Sequence, residues 1–322
     1  MKTGIDNYGL FPLELDPMQE LIWAWENGAE GVQFSGIKKE YEPDEARLKE
    51  LAQFAADKNL YLEWGGGQHI PLDMDTWKEK DIFSVNLKAA RQASMLGTSI
   101  VRSCSGGLMR WDGTNPDTDT LLKPAAESLR SQRQMLRDHG VVLAIETHFE
   151  FTSFELIRLF EMCDAEPGGT LGICLDTMNL LTMLEDPVAA TKRLLPWVVS
   201  THIKDGGIAA GSEGLVSFPA PIGAGIVDLP AITAMLSTLP RTVHLSIEDH
   251  GGHFDIPIYD RDFLSRFPDL TREELTDLIR LTVETHSKIK SGTLNITSRE
   301  DWPAVCEERL KADIRALKAR VE

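Results

Sequence analysis

Leu143-Ala-Ile-Glu146-Thr-His148, Gly172-Ile-Cys-Leu-Asp176, Val198-Val-Ser-Thr-His202-Ile-Lys204-Asp205 and Val243-His-Leu-Ser-Ile-Glu248-Asp249-His250 are short apolar runs that each end in a possible metal ligand. One such string carries little weight, because polar residues cap strands everywhere. Four in succession, each followed by loop and helix signals, put their polar ends on one rim. That pattern predicts a parallel β/α barrel converging on one divalent cation, and hence an enzyme.

The same alternation runs through the rest of the chain. Candidate strands are Thr3–Asn7, Gly31–Phe34, Leu60–Trp64, Ser99–Ser103, Val141–Thr147, Thr170–Asp176, Val198–Lys204 and Thr242–Asp249. Amphipathic segments lie between them, at Pro17–Asn27, Pro43–Lys58, Ser84–Leu96, Leu121–His139, Ser153–Cys163, Pro187–Leu195 and Leu229–Leu239. Asp16-Pro17 and Asp186-Pro187 read as an N-cap followed by proline in the first turn, while Gly28, Gly97 and Gly140 follow helix ends. Strict strand–helix alternation requires parallel strands with crossover helices, and eight units favour closure over an open doubly wound sheet. The fold class expected is therefore α/β, a single (β/α)8 TIM barrel over residues 1–322, with 257–322 as an extended eighth unit and C-terminal helices. No GxGxxG follows the first strand, so a dinucleotide site has no anchor. Gly65–Phe83, Ser105–Thr120, Gly206–Val227 and His250–Pro268 read as long irregular loops at the carboxyl ends of strands, where barrels build active sites.

Fifty acidic against thirty-three basic side chains give a formal charge of −17. Without a basic run, that balance excludes nucleic acid and anionic membrane as partners. Cys104, Cys163, Cys174 and Cys306 are scattered, with no CxxC spacing. The first residues are broken by Gly, Asp and Pro before a signal-peptide core could form, and no run approaches the ~18 apolar residues of a membrane span. A reduced cytoplasm is the expected compartment.

Glu146, Asp176, His202 and Glu248 make a hard, mixed oxygen and nitrogen ligand set. It suits one divalent cation, Mn²⁺ first, with Mg²⁺, Co²⁺ or Zn²⁺ as alternatives. The strings IETH, CLDTMN, THIKD and SIEDH resemble the xylose-isomerase-like sugar isomerase/epimerase family, which includes ketose 3-epimerases and inositol-catabolism enzymes. The resemblance implies that Glu146, Asp176, His202 and Glu248 hold the metal. It also implies that Glu146 and Glu248 flank a sugar and exchange protons beside its carbonyl, which the cation polarises. Two features depart from the ketose-epimerase pattern. Asn179 stands where many members carry a histidine, and Gly206–Gly225 contains no arginine. A phosphate clamp near the seventh and eighth strands is not evident either.

His148 lies two positions beyond Glu146 and reads either as a histidine orienting a ligand or as a general acid/base. Lys204, Asn179 and His250 are candidate substrate-binding residues, with Lys204 also able to balance the carboxylates. Trp64, Trp111 and Phe149 are expected in an aromatic mouth, together with Met109, Phe151, Met178, Phe218 and Phe254. The expected partner is a small carbohydrate or glycoside, and an oligomer is expected. The aromatic mouth, Asn179 and the missing arginine also fit a sister reaction. The catalytic subunits of C-glycoside deglycosidases look similar, and that resemblance implies β-elimination from a 3-keto C-glycoside beside a small β-rich partner subunit. A zinc-dependent endonuclease reading suffers from the negative charge and from too few rim histidines.

Overall fold

Burial on both faces decides where the strands fall, because each Val, Ile and Leu run is sealed between helices outside and side-chain layers within. The computed structural model describes residues 1–321. The barrel strands are β1 (Thr3–Asp6), β2 (Gly31–Phe34), β3 (Tyr61–Gly67), β4 (Ile100–Ser103), β5 (Val142–Glu146), β6 (Leu171–Asp176) and β7 (Val198–Ile203). Two further strands, β8 (Asp205–Ala210) and β9 (Leu215–Ala220), precede the eighth barrel strand, β10 (Leu245–Ile247), and β11 (Phe254–Ile256) follows it. The barrel closes as β1-β2-β3-β4-β5-β6-β7-β10, with β10 returning to β1, and the paired strands are parallel. The expected barrel is thus observed. No helix among the described residues is long and apolar enough to cross a membrane.

The helix starts follow the sequence signals. Asp16 accepts from the amides of Met18 and Gln19, and Asp186 accepts from those of Val188 and Ala189. Two helices, Arg272–Lys290 and Trp302–Val321, extend the chain beyond the eighth unit. The second is tied to the barrel where Trp302 Nε1 donates to the Gly9 carbonyl at 3.1 Å and Arg309 meets Asp249 at 2.7 Å.

One expected loop is ordered differently. Gly206–Val227 is largely a hairpin, in which β8 and β9 pair antiparallel and β11 adds to β9. Gly, Ala and Pro hid the alternation. Pro219 lies beyond the Leu215–Ser217 stretch that pairs with β11, where a missing N–H is tolerated. The return to the barrel wall is fixed by Asp205, whose carboxylate accepts from the amides of Gly206, Gly223, Gly225 and Val227.

Near the amino ends of the strands, Tyr61 packs over glycines. Its hydroxyl bonds Ser246 at 2.8 Å and its ring stacks on His244 at 4.2 Å. A Cβ added to Gly31 would lie 2.2 Å from the Tyr61 ring. Overpacking of this kind costs about 1–3 kcal/mol. Gly31→Ala should therefore lower the unfolding free energy by that amount in a urea titration, and an unchanged midpoint would contradict this packing.

Candidate active site

The strand register brings the four candidate ligands together. Asp176 on β6 lies opposite His202 on β7, Ser246 on β10 is also opposite His202, and Glu146 on β5 is opposite Cys174. Glu248 follows β10 by one residue. Ligand atoms of Glu146, Asp176, His202 and Glu248 all lie within 4.8 Å of one another, and the four residues are at most 6% exposed. His202 Nδ1 is 3.2 Å from Glu146 Oε1, 2.9 Å from Glu248 Oε2 and 4.0 Å from Asp176 Oδ2. The imidazole therefore presents Nδ1 to the carboxylates.

Its other nitrogen faces Gln33 Oε1 and stands 3.5 Å from Asp6 Oδ2. With a cation bound, those acceptors would hold the ring proton on Nε2 and leave the Nδ1 lone pair to coordinate it. Gln33 is itself held by Ser200 at 2.7 Å and by Glu63. Burial raises the Glu63 carboxyl to about 7, because Ser200 and Gln33 offset only part of the desolvation.

Two cations brace the carboxylates. Lys204 Nζ is 2.8 Å from Asp176 and 2.6 Å from Glu248, while Arg102 pairs with Glu146. Burial pushes the Glu146 carboxyl up, but Arg102 and His202 outweigh it and hold it at about 2. Burial likewise opposes ionisation of Glu248, and Lys204 with His202 carries it well below the usual range. Asp176 moves upward through burial, since Glu248 and Glu146 add to that effect against Lys204.

The chemistry of the donor set fits a divalent ion. Glu146 Oε2, Asp176 Oδ2 and Glu248 Oε2 are buried without a well-directed hydrogen bond, and they are met by Arg102, Lys204 and His202 Nδ1. Such oxygens are costly unless paired with positive charge. Three carboxylates and one imidazole nitrogen on a common point supply that pairing with a single cation.

The other expected residues divide. Lys204, Asn179, His148, Phe149 and His250 line one cavity of about 560 Å³ together with Glu146 and Glu248. Asn179 Nδ2 is 3.4 Å from Glu146 Oε1. The strand ends at Glu146 rather than continuing to His148, yet the turn still delivers His148 to the cavity. His250 Nδ1 lies 3.0 Å from the Gly251 carbonyl, its ring meets Tyr8 edge-on, and burial with the charge of Lys204 lowers its pKa to about 4. Trp64 is a correction. It faces away from the mouth, packs on Phe34 and donates to Gln92 on the helix Ile82–Leu96, because its place in β3 points it at the helical layer. Trp111 lies behind the mouth, where it bonds the Asp255 carbonyl and packs on Phe149 and Phe263.

Sequence reasoning missed Arg102, Gln33, Asp6 and Glu150. Arg102 and Gln33 each interrupt an apolar strand, as does Glu63, and an isolated polar residue in a strand buried on both faces is itself a signal. Glu150 left no pattern. It accepts from His148 Nδ1 at 2.8 Å and from the Ser105 amide at 2.8 Å. Cys104 Sγ lies 3.6 Å from the oxygen that accepts from Ser105.

A closed parallel barrel with a buried cluster of candidate ligands at the carboxyl ends of its strands defines a (β/α)8 fold with a possible metal site. The chain belongs to the xylose isomerase-like TIM barrel family, whose pattern matches residues 21–307. It is 27% identical over 123 residues to 3-oxo-isoapionate decarboxylase of Pectobacterium atrosepticum, which is 37% of this chain and 43% of that enzyme. The matches span less than half the length of the curated relatives. A structure of L-ribulose 3-epimerase superposes with a TM-score of 0.56 at 18% identity, covering 95% of this chain and 97% of that one. The probable 3-DHS dehydratase AsbF of Bacillus anthracis superposes with a TM-score of 0.58 at 19% identity, covering 84% and 100%. At those identities the likeness is one of fold.

Removing the Gln33 acceptor should disturb the cation site without touching a ligand. Gln33→Leu is expected to weaken Mn²⁺ binding by about 10–100-fold in a calorimetric titration. Unchanged affinity would mean that Gln33 does not orient His202.

Proposed function

We propose that the protein is a divalent-metal-dependent enzyme that removes a proton beside the carbonyl of a sugar or keto-sugar and passes through an enediolate, most simply as an isomerase or epimerase. The convergence of Glu146, Asp176, His202 Nδ1 and Glu248 on one point beside an open cavity carries this reading. A bound cation, Mn²⁺ first and otherwise Mg²⁺, Co²⁺ or Zn²⁺, would polarise the carbonyl and offset the negative charge that develops on its oxygen.

The chain's own residues handle the proton. Glu146 and Glu248 come from the two ends of the arc β5-β6-β7-β10, so they border the cavity from different sides. Arg102 and Lys204 keep them ionised, and an ionised carboxylate can accept a proton from an activated C–H. His148 is the third candidate. Because an ionised Glu150 can only accept, His148 donates Nδ1–H to it. Burial opposes the imidazolium, but neighbouring negative charge, Glu150 included, carries the His148 pKa well above its ordinary value, so Nε2 also bears a proton and is the ring atom left for substrate. Lys204 and Asn179 reach both the carboxylates and the cavity, where either can donate to a substrate hydroxyl.

A second reading is favoured by the rings of Tyr8, Phe11, Phe149 and Phe254, which line the same cavity. With a leaving group on the β-carbon, the electron pair freed by deprotonation forms a C=C bond as the bond to that group breaks. His148 then protonates the departing group. This is β-elimination from a 3-keto glycoside, a lyase reaction in which a small β-rich partner subunit has a place.

Purified protein offered ketoses and 3-keto glycosides separates these outcomes by product. Chelation with EDTA should abolish turnover and added Mn²⁺ should restore it, whereas full activity without metal would overturn the proposal. Glu146→Gln and Glu248→Gln should each lower kcat by at least about 10²-fold with the fold retained. Glu150→Gln should lower kcat and shift the His148 limb of its pH profile, and an unshifted profile would remove Glu150 from the account.

A further inference from the structure

We infer that the cavity takes an acidic sugar, and that Arg299 and Lys38 receive its carboxylate while the carbonyl end lies at the four-residue centre. The inference rests on the reading of that centre given above. It starts from which charges at the mouth are paired. Glu146 is matched by Arg102, Asp176 and Glu248 share Lys204, and Glu150 holds His148. Lys38 and Arg299 line the same cavity, and among the described residues neither has a carboxylate oxygen within 4.0 Å. In a chain carrying a formal charge of −17, two cations at one opening without carboxylate partners are positioned to attract an anion.

Both are held in place by their surroundings. The Arg299 guanidinium lies over the Phe254 ring, 5.7 Å from its centre, and Phe254 packs on Phe149 at 4.7 Å. Its stem runs along Gly252, where an added Cβ would come within 2.6 Å of Cγ and 2.7 Å of Nε. Gly252 has φ +87°, and its amide donates to the Thr297 carbonyl at 2.8 Å, joining the two segments. Lys38 Nζ stands 5.9 Å from the Phe11 ring centre and 3.5 Å from the Phe11 carbonyl. Cation–π contact positions a guanidinium without using its N–H donors. The planar fork that remains matches a carboxylate with two parallel hydrogen bonds.

The two cations come from remote parts of the chain, Lys38 from the loop after β2 and Arg299 from the loop before the last helix. That is why no anion clamp is visible around the seventh and eighth strands. One guanidinium and one ammonium suit a single carboxylate charge. A phosphate is the competing anion, and it can be tested directly.

D-gluconate and D-glucitol differ at one terminus, carboxylate against hydroxymethyl. Calorimetric titration of the full-length, Mn²⁺-loaded protein should give a Kd for gluconate at least tenfold lower than for glucitol. That ratio should fall towards one in Arg299→Ala and in Lys38→Ala, and Arg299→Lys should recover part of it. Equal affinities, undetectable gluconate binding, or a preference that survives in the double variant would each overturn the inference, the last by assigning the carboxylate to the metal. Tighter binding of glucitol 6-phosphate than of gluconate would overturn the choice of carboxylate. Repeating the titrations after EDTA separates the two readings. A preference that depends on Arg299 with no metal uptake would sink the metal centre and leave the anion site standing.

Discussion

Three carboxylates buried around one imidazole set the terms for the rest of this protein. Glu146, Asp176 and Glu248 repel one another within a few ångströms of His202, and burial removes the water that would screen them. Lys204 meets Asp176 and Glu248, and Arg102 meets Glu146. A divalent cation held among the four residues would satisfy the oxygens that lack directed hydrogen bonds. The same pairings with Lys204 and Arg102 keep Glu146 and Glu248 ionised at neutral pH, which is the state a proton acceptor needs.

The fold serves that cluster by fixing register. Parallel pairing places the ligands of adjacent strands at one height, as Asp176 and His202 show directly. Behind them, Gln33, Ser200 and Glu63 hold the His202 ring from the barrel interior. In front, Asp205 fixes the hairpin to the wall through backbone amides, and Asp249 ties the eighth strand end to Arg309 on the last helix. The two aspartates beside the ligand strings thus secure the loops and helix that surround the cavity rather than entering the chemistry.

Most of the barrel was legible in the sequence because its strands are buried on both faces and read as plain apolar runs. β2 falls where the pattern places it, and β1 and β4 to β7 agree within a residue at either end. The eighth strand is shorter than Thr242–Asp249, since only Leu245–Ile247 pairs with β1 and only Ser246 and Ile247 pair with β7. The hairpin β8–β9 was not legible, because Gly206, Gly207 and Pro219 carry turn signals inside a sheet that tertiary pairing enforces. Among site residues, those at the ends of strands were visible as a series. Arg102, Gln33 and Asp6 were not, since each looks like an isolated polar residue until the closed barrel brings it to His202 or Glu146. Arg299 and Lys38 reach the mouth from distant loops, and local pattern carries no trace of that. Trp64 shows the opposite error, an aromatic at a strand end that faces the helices.

The central claim is that a cation at Glu146, Asp176, His202 and Glu248 enables proton removal beside a carbonyl. Wash-in of solvent deuterium at that carbon, followed by NMR on a keto-sugar that the protein binds, reads this step whatever product forms. Deuterium should enter with the Mn²⁺-loaded protein, stop after chelation and return with added metal. Incorporation that continues at the same rate in the chelated protein would contradict the account.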